Sequence, residues 1–120
     1  MAKTSNIIDF LDAGLRAETL RQKAIANNVA NLQTPGYRRV DINFEDLLSD
    51  AMKADPEEVD LDEIVPTLYQ PKQTPVQANG NDVELEGEVG QMVKNTLLHK
   101  TYIRLLSKQY QQMEEAMNVK

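Results

Sequence analysis

Ten residues near the C-terminus constrain this chain more than any others: Leu85, Val89, Met92, Thr96, His99, Ile103, Leu106, Tyr110, Met113 and Met117. They alternate by four and three without a break, which is the spacing of a heptad seam. The spacing predicts one helix over residues 82–118, with a length of roughly 52 Å at 1.5 Å per residue. Asn81 or Asp82 is placed to cap it, and Glu84 lies three residues past Asn81 as in a capping box. Val93, Leu97, Leu98, Tyr102 and Leu105 add a second apolar flank in its middle. A helix that is apolar on more than one side is contacted on more than one side.

Residues 7–32 predict a second long helix, of roughly 37 Å. Ile8, Leu11, Leu15, Ile25, Val29 and Leu32 follow the three/four spacing, with Glu18 and Gln22 in the two middle slots. Beside this stripe run Ala13, Ala17, Leu20, Ala24, Asn27 and Asn31. Small side chains there let a neighbouring helix come close, and the amides of Asn27, Asn28 and Asn31 are placed to bond sideways to other subunits. Thr4, Ser5 or Asn6 can cap the start, with Asp9 in the first turn. Thr34-Pro35-Gly36-Tyr37 stops the helix. Pro35 biases Thr34 away from helical angles. Pro35-Gly36 suits the centre of a type II turn, with Gly36 at positive φ.

Between the helices the period is lost. Asp41-Ile42-Asn43-Phe44 alternates weakly, as a short strand would, and Phe44 to Met52 could form a short helix. Strand fragments are expected around Ile64-Val65 and Thr67-Tyr69. Pro66, Pro71, Pro75 and Asn79-Gly80 mark the rest as a long loop, which in a small domain is functional, mobile or ordered by partners. The net charge of −6 is concentrated here. Residues 1–39 carry net +3, residues 40–84 net −10 and residues 85–120 net +1. No dense basic face appears, which disfavours general nucleic-acid binding.

The chain thus reads as one all-α unit: an N-terminal helix and turn over 1–39, an irregular acidic connector over 40–80, and a C-terminal heptad helix over 81–120. Two long helices joined this way form an antiparallel, coiled-coil-like hairpin with seams to spare. Aromatic residues are scarce, with no Trp, two Phe and four Tyr, so a thick self-sufficient core is not expected. Packing between subunits is the natural completion. There is no Cys, which rules out disulfides and thiolate metal sites. No segment approaches the roughly 18 apolar residues of a membrane span. Ile7-Ile8 is followed at once by Asp9 and Asp12, unlike a signal peptide, so export would use a route without a cleaved leader.

Catalytic and cofactor chemistry find little support. The single His99 sits on the heptad seam with no second His or Cys to join it in a metal or nucleophile site. Glu57, Glu58, Asp60, Asp62 and Glu63 lack the glycine and terminal glutamate spacing of a calcium loop. Gly87 and Gly90 are not followed by Gly-Lys-Ser/Thr, so no phosphate loop is formed. The seam methionines read as packing. No enzyme activity, cofactor or metal is expected.

Ala26-Asn27-Asn28-Val29-Ala30-Asn31, followed by Thr34-Pro35-Gly36-Tyr37-Arg38, resembles the signature of bacterial flagellar axial proteins, the rod, hook and hook-associated subunits. The short length resembles the proximal rod members. So do Asp41 to Leu48 after the motif and Asn81-Asp82-Val83-Glu84-Leu85-Glu86 before the last helix. The acidic stretch 53–64 matches no family motif. The resemblance implies a structural subunit whose terminal helices pack into the inner layer of a hollow tube. It implies the basal-body rod in the periplasmic space as the location. It implies export through the flagellar type III apparatus without a cleaved leader. Its partners would be further copies, other rod subunits and the adaptor joining the rod to the MS ring, with no nucleic acid and no membrane insertion. It also marks Phe44 and Leu48 as a candidate export-gate element of the form Phe-x-x-x-hydrophobic; an apolar helix anchoring the loop reads equally well. The residues assigned to assembly are Asn27, Asn28, Asn31, Thr34, Pro35, Gly36, Tyr37 and Arg38, and the seam from Leu85 to Met117 is expected to pack against the N-terminal helix and against neighbours. Alternatives are another axial subunit, or a cytosolic coiled-coil adaptor, which the heptads alone permit but the Asn-rich run does not explain.

Overall fold

The computed structural model describes residues 6–54, 60, 61 and 64–118. Helix α1 spans Asn6–Ala30, strand β1 Asp41–Ile42, helix α2 Phe44–Ala54, strand β2 Leu68–Tyr69 and helix α3 Leu85–Asn118. The two long helices pack along each other. They run antiparallel: Asn28 meets Glu88, Glu18 meets Asn95, and Gly14 lies against Tyr102. The molecule measures 68 × 29 × 15 Å with a radius of gyration of 18.0 Å. A globular domain of this length would have about 13–14 Å, so α3 sets the shape.

The sequence makes α1 two-sided. Leu11, Gly14, Glu18, Ile25 and Asn28 recur at three- and four-residue steps or multiples of them, and all are buried. Glu18, Asn28 and Gly14 among them meet α3. On the adjoining side, Ala13 and Ala17 are buried against Ile42 and Phe44, with Leu20, Leu48, Leu61 and Ile64 packed around this cluster. The short alanine side chains therefore admit β1 and the start of helix α2.

β1 and β2 pair antiparallel, with Asp41 opposite Tyr69 and Ile42 opposite Leu68. This two-residue clasp folds the connector back and delivers Ile42 and Phe44 to the core. Asn43 holds the return strand, its Oδ1 accepting from the Thr67 amide at 2.9 Å. Glu45 and Asp46 lie in the first turn of α2 and Lys53 in its last, both favourable to the helix dipole. The candidate caps Thr4 and Ser5 lie outside the described residues; Asn6 opens α1. Of the five clustered acids only Asp60 is described.

At the start of α3 the structure departs from the expected cap. The helix begins at Leu85, and the Glu88 amide donates to the Glu84 carbonyl at 2.9 Å. Asn81 and Asp82 lie before this turn and are fully buried. Their side chains are committed to α1 and its turn, so neither is available as the cap.

Candidate functional site

The end of α1 tightens before it turns. The Asn31 amide is shared between the carbonyls of Asn27 at 3.1 Å and Asn28 at 3.2 Å, and the Leu32 amide bonds Val29 at 3.2 Å. This is the three-residue closure common at helix ends. The Tyr37 amide then bonds the Thr34 carbonyl at 3.3 Å across Pro35-Gly36, with Gly36 at φ +76°. Those are the marks of a type II turn. A second glycine faces it. Gly80 sits at φ +86°, and a Cβ there would lie 3.2 Å from the Gly36 Cα. The Gly36 amide donates to the Asn79 carbonyl at 2.9 Å. Two turns thus touch backbone to backbone, and both glycines hold a positive φ that L side chains rarely adopt.

Asn28 lies at the centre of this arrangement, fully buried. Its Oδ1 accepts from the Tyr37 hydroxyl at 2.8 Å and from the Val40 amide at 2.9 Å. Its Nδ2 donates to the Val40 carbonyl and to Glu88 Oε1, each at 2.9 Å. The amide's two donors and two acceptor sites are all filled within the chain. None is left for a neighbouring subunit, so the sideways bond expected from Asn28 is turned inward. Asn27 Nδ2 donates to the Tyr37 hydroxyl at 2.7 Å. Asn31 Nδ2 bonds the Asn27 carbonyl at 2.8 Å, while its Oδ1 accepts from Thr34 Oγ1 at 3.1 Å. Burial holds the Tyr37 phenol above its ordinary pKa, partly offset by the Asn27 bond, which keeps it a hydroxyl donor.

Asn81 ties this turn to the approach of α3. Its Nδ2 donates to the carbonyls of Asn31 at 2.9 Å and Thr34 at 2.8 Å, and its Oδ1 accepts from the Val83 amide at 2.7 Å. Asp82 binds the two arginines after the turn. Its Oδ2 accepts from Arg38 Nε at 2.9 Å and its Oδ1 from the Arg39 amide at 2.6 Å. Arg39 Nε also donates to Glu88 Oε2 at 2.8 Å, so Glu88 links Arg39 to Asn28.

Burial alone would push the Asp82 carboxyl up in pKa. The Arg39 amide, the Arg38 bond and the charges of both arginines outweigh it and hold the carboxyl below its ordinary range. A carboxylate with a lower pKa folded than unfolded adds stability that is complete above its unfolded value, near 4, and is lost as pH falls through the folded value. Urea midpoints are therefore expected to drop in acid, below about pH 4. Asp82→Asn should lower the midpoint at neutral pH and shrink that acid-dependent drop. An unchanged acid profile in the variant would remove Asp82 from the account.

A second polar contact joins the helices farther along. Asn95 Nδ2 donates to the Glu18 carbonyl and to Glu18 Oε2, each at 2.7 Å, with Asn95 and Glu18 both buried. Arg21 completes it through Glu18 and reaches Glu45 of α2. Beyond, α1 presents Gly14, where a Cβ would lie 2.5 Å from two ring carbons of Tyr102 and 2.8 Å from its hydroxyl. None of Glu88, Asn95 and Gly14 belongs to the stripes that mark the helices in the sequence. They leave a trace in it: Glu88, Gln91, Asn95, Leu98 and Tyr102 share a three/four spacing. That stripe is half polar and so does not stand out by hydrophobicity. A glycine inside a helix costs about 1 kcal/mol against alanine and can mark a close approach.

The heptad seam lies to one side of this stripe. The packing on α1 expected of the seam is made instead by Glu88 and Asn95, whose polar groups find bonding partners on α1, and by Tyr102, whose ring meets Gly14. Leu85, Val89, Met92, Ile103, Tyr110, Met113 and Met117 are all more than 40% exposed, and Thr96 is exposed too. His99 and Leu106 are half-buried. Of the flanking residues, Val93 and Leu97 are 55% and 61% exposed. Phe44 is buried in the core cluster and Leu48 packs partly buried against it. Among the described residues no group of three or more His, Cys, Asp or Glu is placed to hold a metal ion. No helix among them is long and apolar enough to cross a membrane. The site is an architectural one, a polar joint that sets the angle and register of α1 on α3.

The joint coincides with a known family pattern. Residues 8–38 match the model of the flagella basal body rod protein family. The chain is 30% identical over 132 residues to flagellar basal body rod protein FlgB of Salmonella typhimurium, covering 89% of this chain and 94% of that one. It is 28% identical over 132 residues to FlgB of Escherichia coli, with the same coverage. To FlgB of Bacillus subtilis it is 25% identical over 122 residues, covering 95% of each. Matches of that length take in both long helices and the joint between them, and the chain therefore belongs to the FlgB family of flagellar basal body rod proteins, structural subunits of the flagellum.

Proposed function

We propose that the chain is a proximal rod subunit that adds to a hollow helical tube through the exposed heptad face of α3. The supporting observation is a division of labour on that helix. Buried Glu88 and Asn95, with Tyr102, serve the contact with α1, which leaves a nearly continuous apolar seam facing outward. Monomeric proteins rarely leave such a stripe uncovered. Neighbouring subunits cover it, in contacts that repeat head to tail and do not close. The antiparallel helix pair then forms part of the wall around the export channel, and the knotted joint carries torque from one helix to the other. The partners are further copies, other rod subunits and the adaptor at the MS ring, in the periplasmic part of the basal body.

Export through the flagellar type III apparatus, without a cleaved leader, fits the same reading. Phe44 and Leu48 belong to the folded core, so an export gate would meet them before folding.

The test separates folding from assembly. Val89→Asp and Ile103→Asp change side chains that are 49% and 44% exposed. Each should leave the circular dichroism spectrum and thermal midpoint nearly unchanged, within about 0.5 kcal/mol. In cells lacking the native gene, the pair should abolish swimming and be missing from purified basal bodies. Normal swimming would refute the seam as the assembly face. A soluble dimer found only in the cytosol would favour an adaptor instead.

A further inference from the structure

Away from both α1 and the heptad seam, α3 carries a third face. Residues 89–113 contain Lys94, Lys100, Arg104 and Lys108 and no Asp or Glu. Lys100, Arg104 and Lys108 recur every fourth residue, which keeps them on one side of the helix. All three are exposed and form no ion pair among the described residues. Val93 and Leu97 share that side, at 55% and 61% exposure. Lys94 differs, because it lines a cleft with Asp46 of α2.

The charge that complements this face lies in the same sequence. Residues 40–84 hold twelve acids against Lys53 and Lys72. On α2, Asp46 and Asp50 are exposed and take part in no ion pair among the described residues, whereas Glu45 is engaged by Arg21. Lys94 and Asp46 line the same cleft, so the two helices turn opposite charges towards one space within the chain.

From this arrangement we propose that Lys100, Arg104 and Lys108 of one copy receive the α2 carboxylates Asp46 and Asp50 of a second copy. Val93 and Leu97 supply the apolar part of the contact. The surfaces differ, so the contact is heterologous and propagates. This rests on the assembly reading above and adds to it a partner surface and a salt dependence. Exposed opposite charges steer association and set its orientation, and their effect weakens as salt shortens the screening length.

The experiment measures self-association of the full-length chain by sedimentation, at low and at high salt. The triple variant Lys100→Glu/Arg104→Glu/Lys108→Glu should weaken association at least about tenfold at low salt. So should Asp46→Lys/Asp50→Lys, with unchanged circular dichroism in both. Combining all five substitutions restores the complementarity in reverse and should recover association. Mixing the triple variant with the α2 variant supplies one wild-type contact and one reversed contact, so the mixture should associate and grow in alternation although neither variant does so alone. The proposal is overturned if the five-fold variant stays as weak as its parents, or if association is indifferent to salt. It is overturned equally if the triple variant self-associates normally but loses binding to phosphatidylglycerol vesicles, which would assign the face to a membrane surface. The seam variants Val89→Asp and Ile103→Asp test the assembly reading separately, because they leave this face intact.

Discussion

Asn28→Ala is expected to cost about 3–5 kcal/mol, the range for breaking a buried, charge-linked network by removing one partner. The loss is large because one side chain serves three elements. It satisfies both backbone groups of Val40, the hydroxyl of Tyr37 and one oxygen of Glu88. Truncation takes a bond from all four, with Asn28 and Glu88 buried and Tyr37 and Val40 half-buried. Domains of ordinary stability have about 5–15 kcal/mol in total, so the variant should be largely unfolded or close to it. Urea titration followed by circular dichroism measures this directly, and swimming should fail with it. Asn28→Asp has almost the same shape and tests the mechanism. It replaces the donating Nδ2 by an oxygen facing Glu88 Oε1 at 2.9 Å and the Val40 carbonyl. It should be as damaging as alanine at neutral pH. A cost below about 1 kcal/mol for either variant would mean that the network contributes no more than a surface bond.

The second large effect reverses sign with its background. Gly14→Ala would ordinarily stabilise a helix by about 1 kcal/mol. Here the new methyl would overlap the ring of Tyr102, with two ring carbons at 2.5 Å. Overpacking of this kind costs about 1–3 kcal/mol, so the single variant should be destabilised despite its better propensity. Once Tyr102→Ala has removed the ring, the same Gly14→Ala change should become stabilising by about 1 kcal/mol. The four proteins form a double-mutant cycle whose coupling term isolates the contact. A Gly14→Ala protein at least as stable as the parent would show that the ring moves aside freely, and the register of the helices would then depend on the polar contacts alone.

Periodicity and turn chemistry made the two long helices and the stop at Pro35-Gly36 readable, because both are written in neighbouring residues. The pairing of the helices was also anticipated, since neither can bury its stripes alone. What resisted reading was the choice of faces. The heptad of α3 is the strongest apolar signal in the chain, yet buried contacts with α1 fall on Glu88 and Asn95. A polar contact between helices has no hydrophobic period, and a glutamate in a helix reads by default as solvated. Its partners are also remote: Glu88 acquires meaning only from Asn28 and Arg39. The same remoteness misdirected the expected cap. Asn81 and Asp82 have the side chains of an N-cap, but the Thr34 turn and Arg39 compete for those oxygens and amides and win. The amides of Asn27, Asn28 and Asn31 were recognisable as a bonding set, while the direction of their bonds depended on the fold.

The polar bridges between α1 and α3 also dictate when the chain can fold. Asn28 and Glu88 are 60 residues apart, and Glu18 and Asn95 are 77 apart. Contacts of such span close late, because a long loop must be ordered before they return any stability. A chain emerging residue by residue can make the local bonds of Asn28 to Tyr37 and Val40 and of Glu18 to Arg21, but the partners of both on the last helix arrive only when nearly all of it has been made. Closure of the helix pair becomes a late event, triggered by the arrival of the last helix.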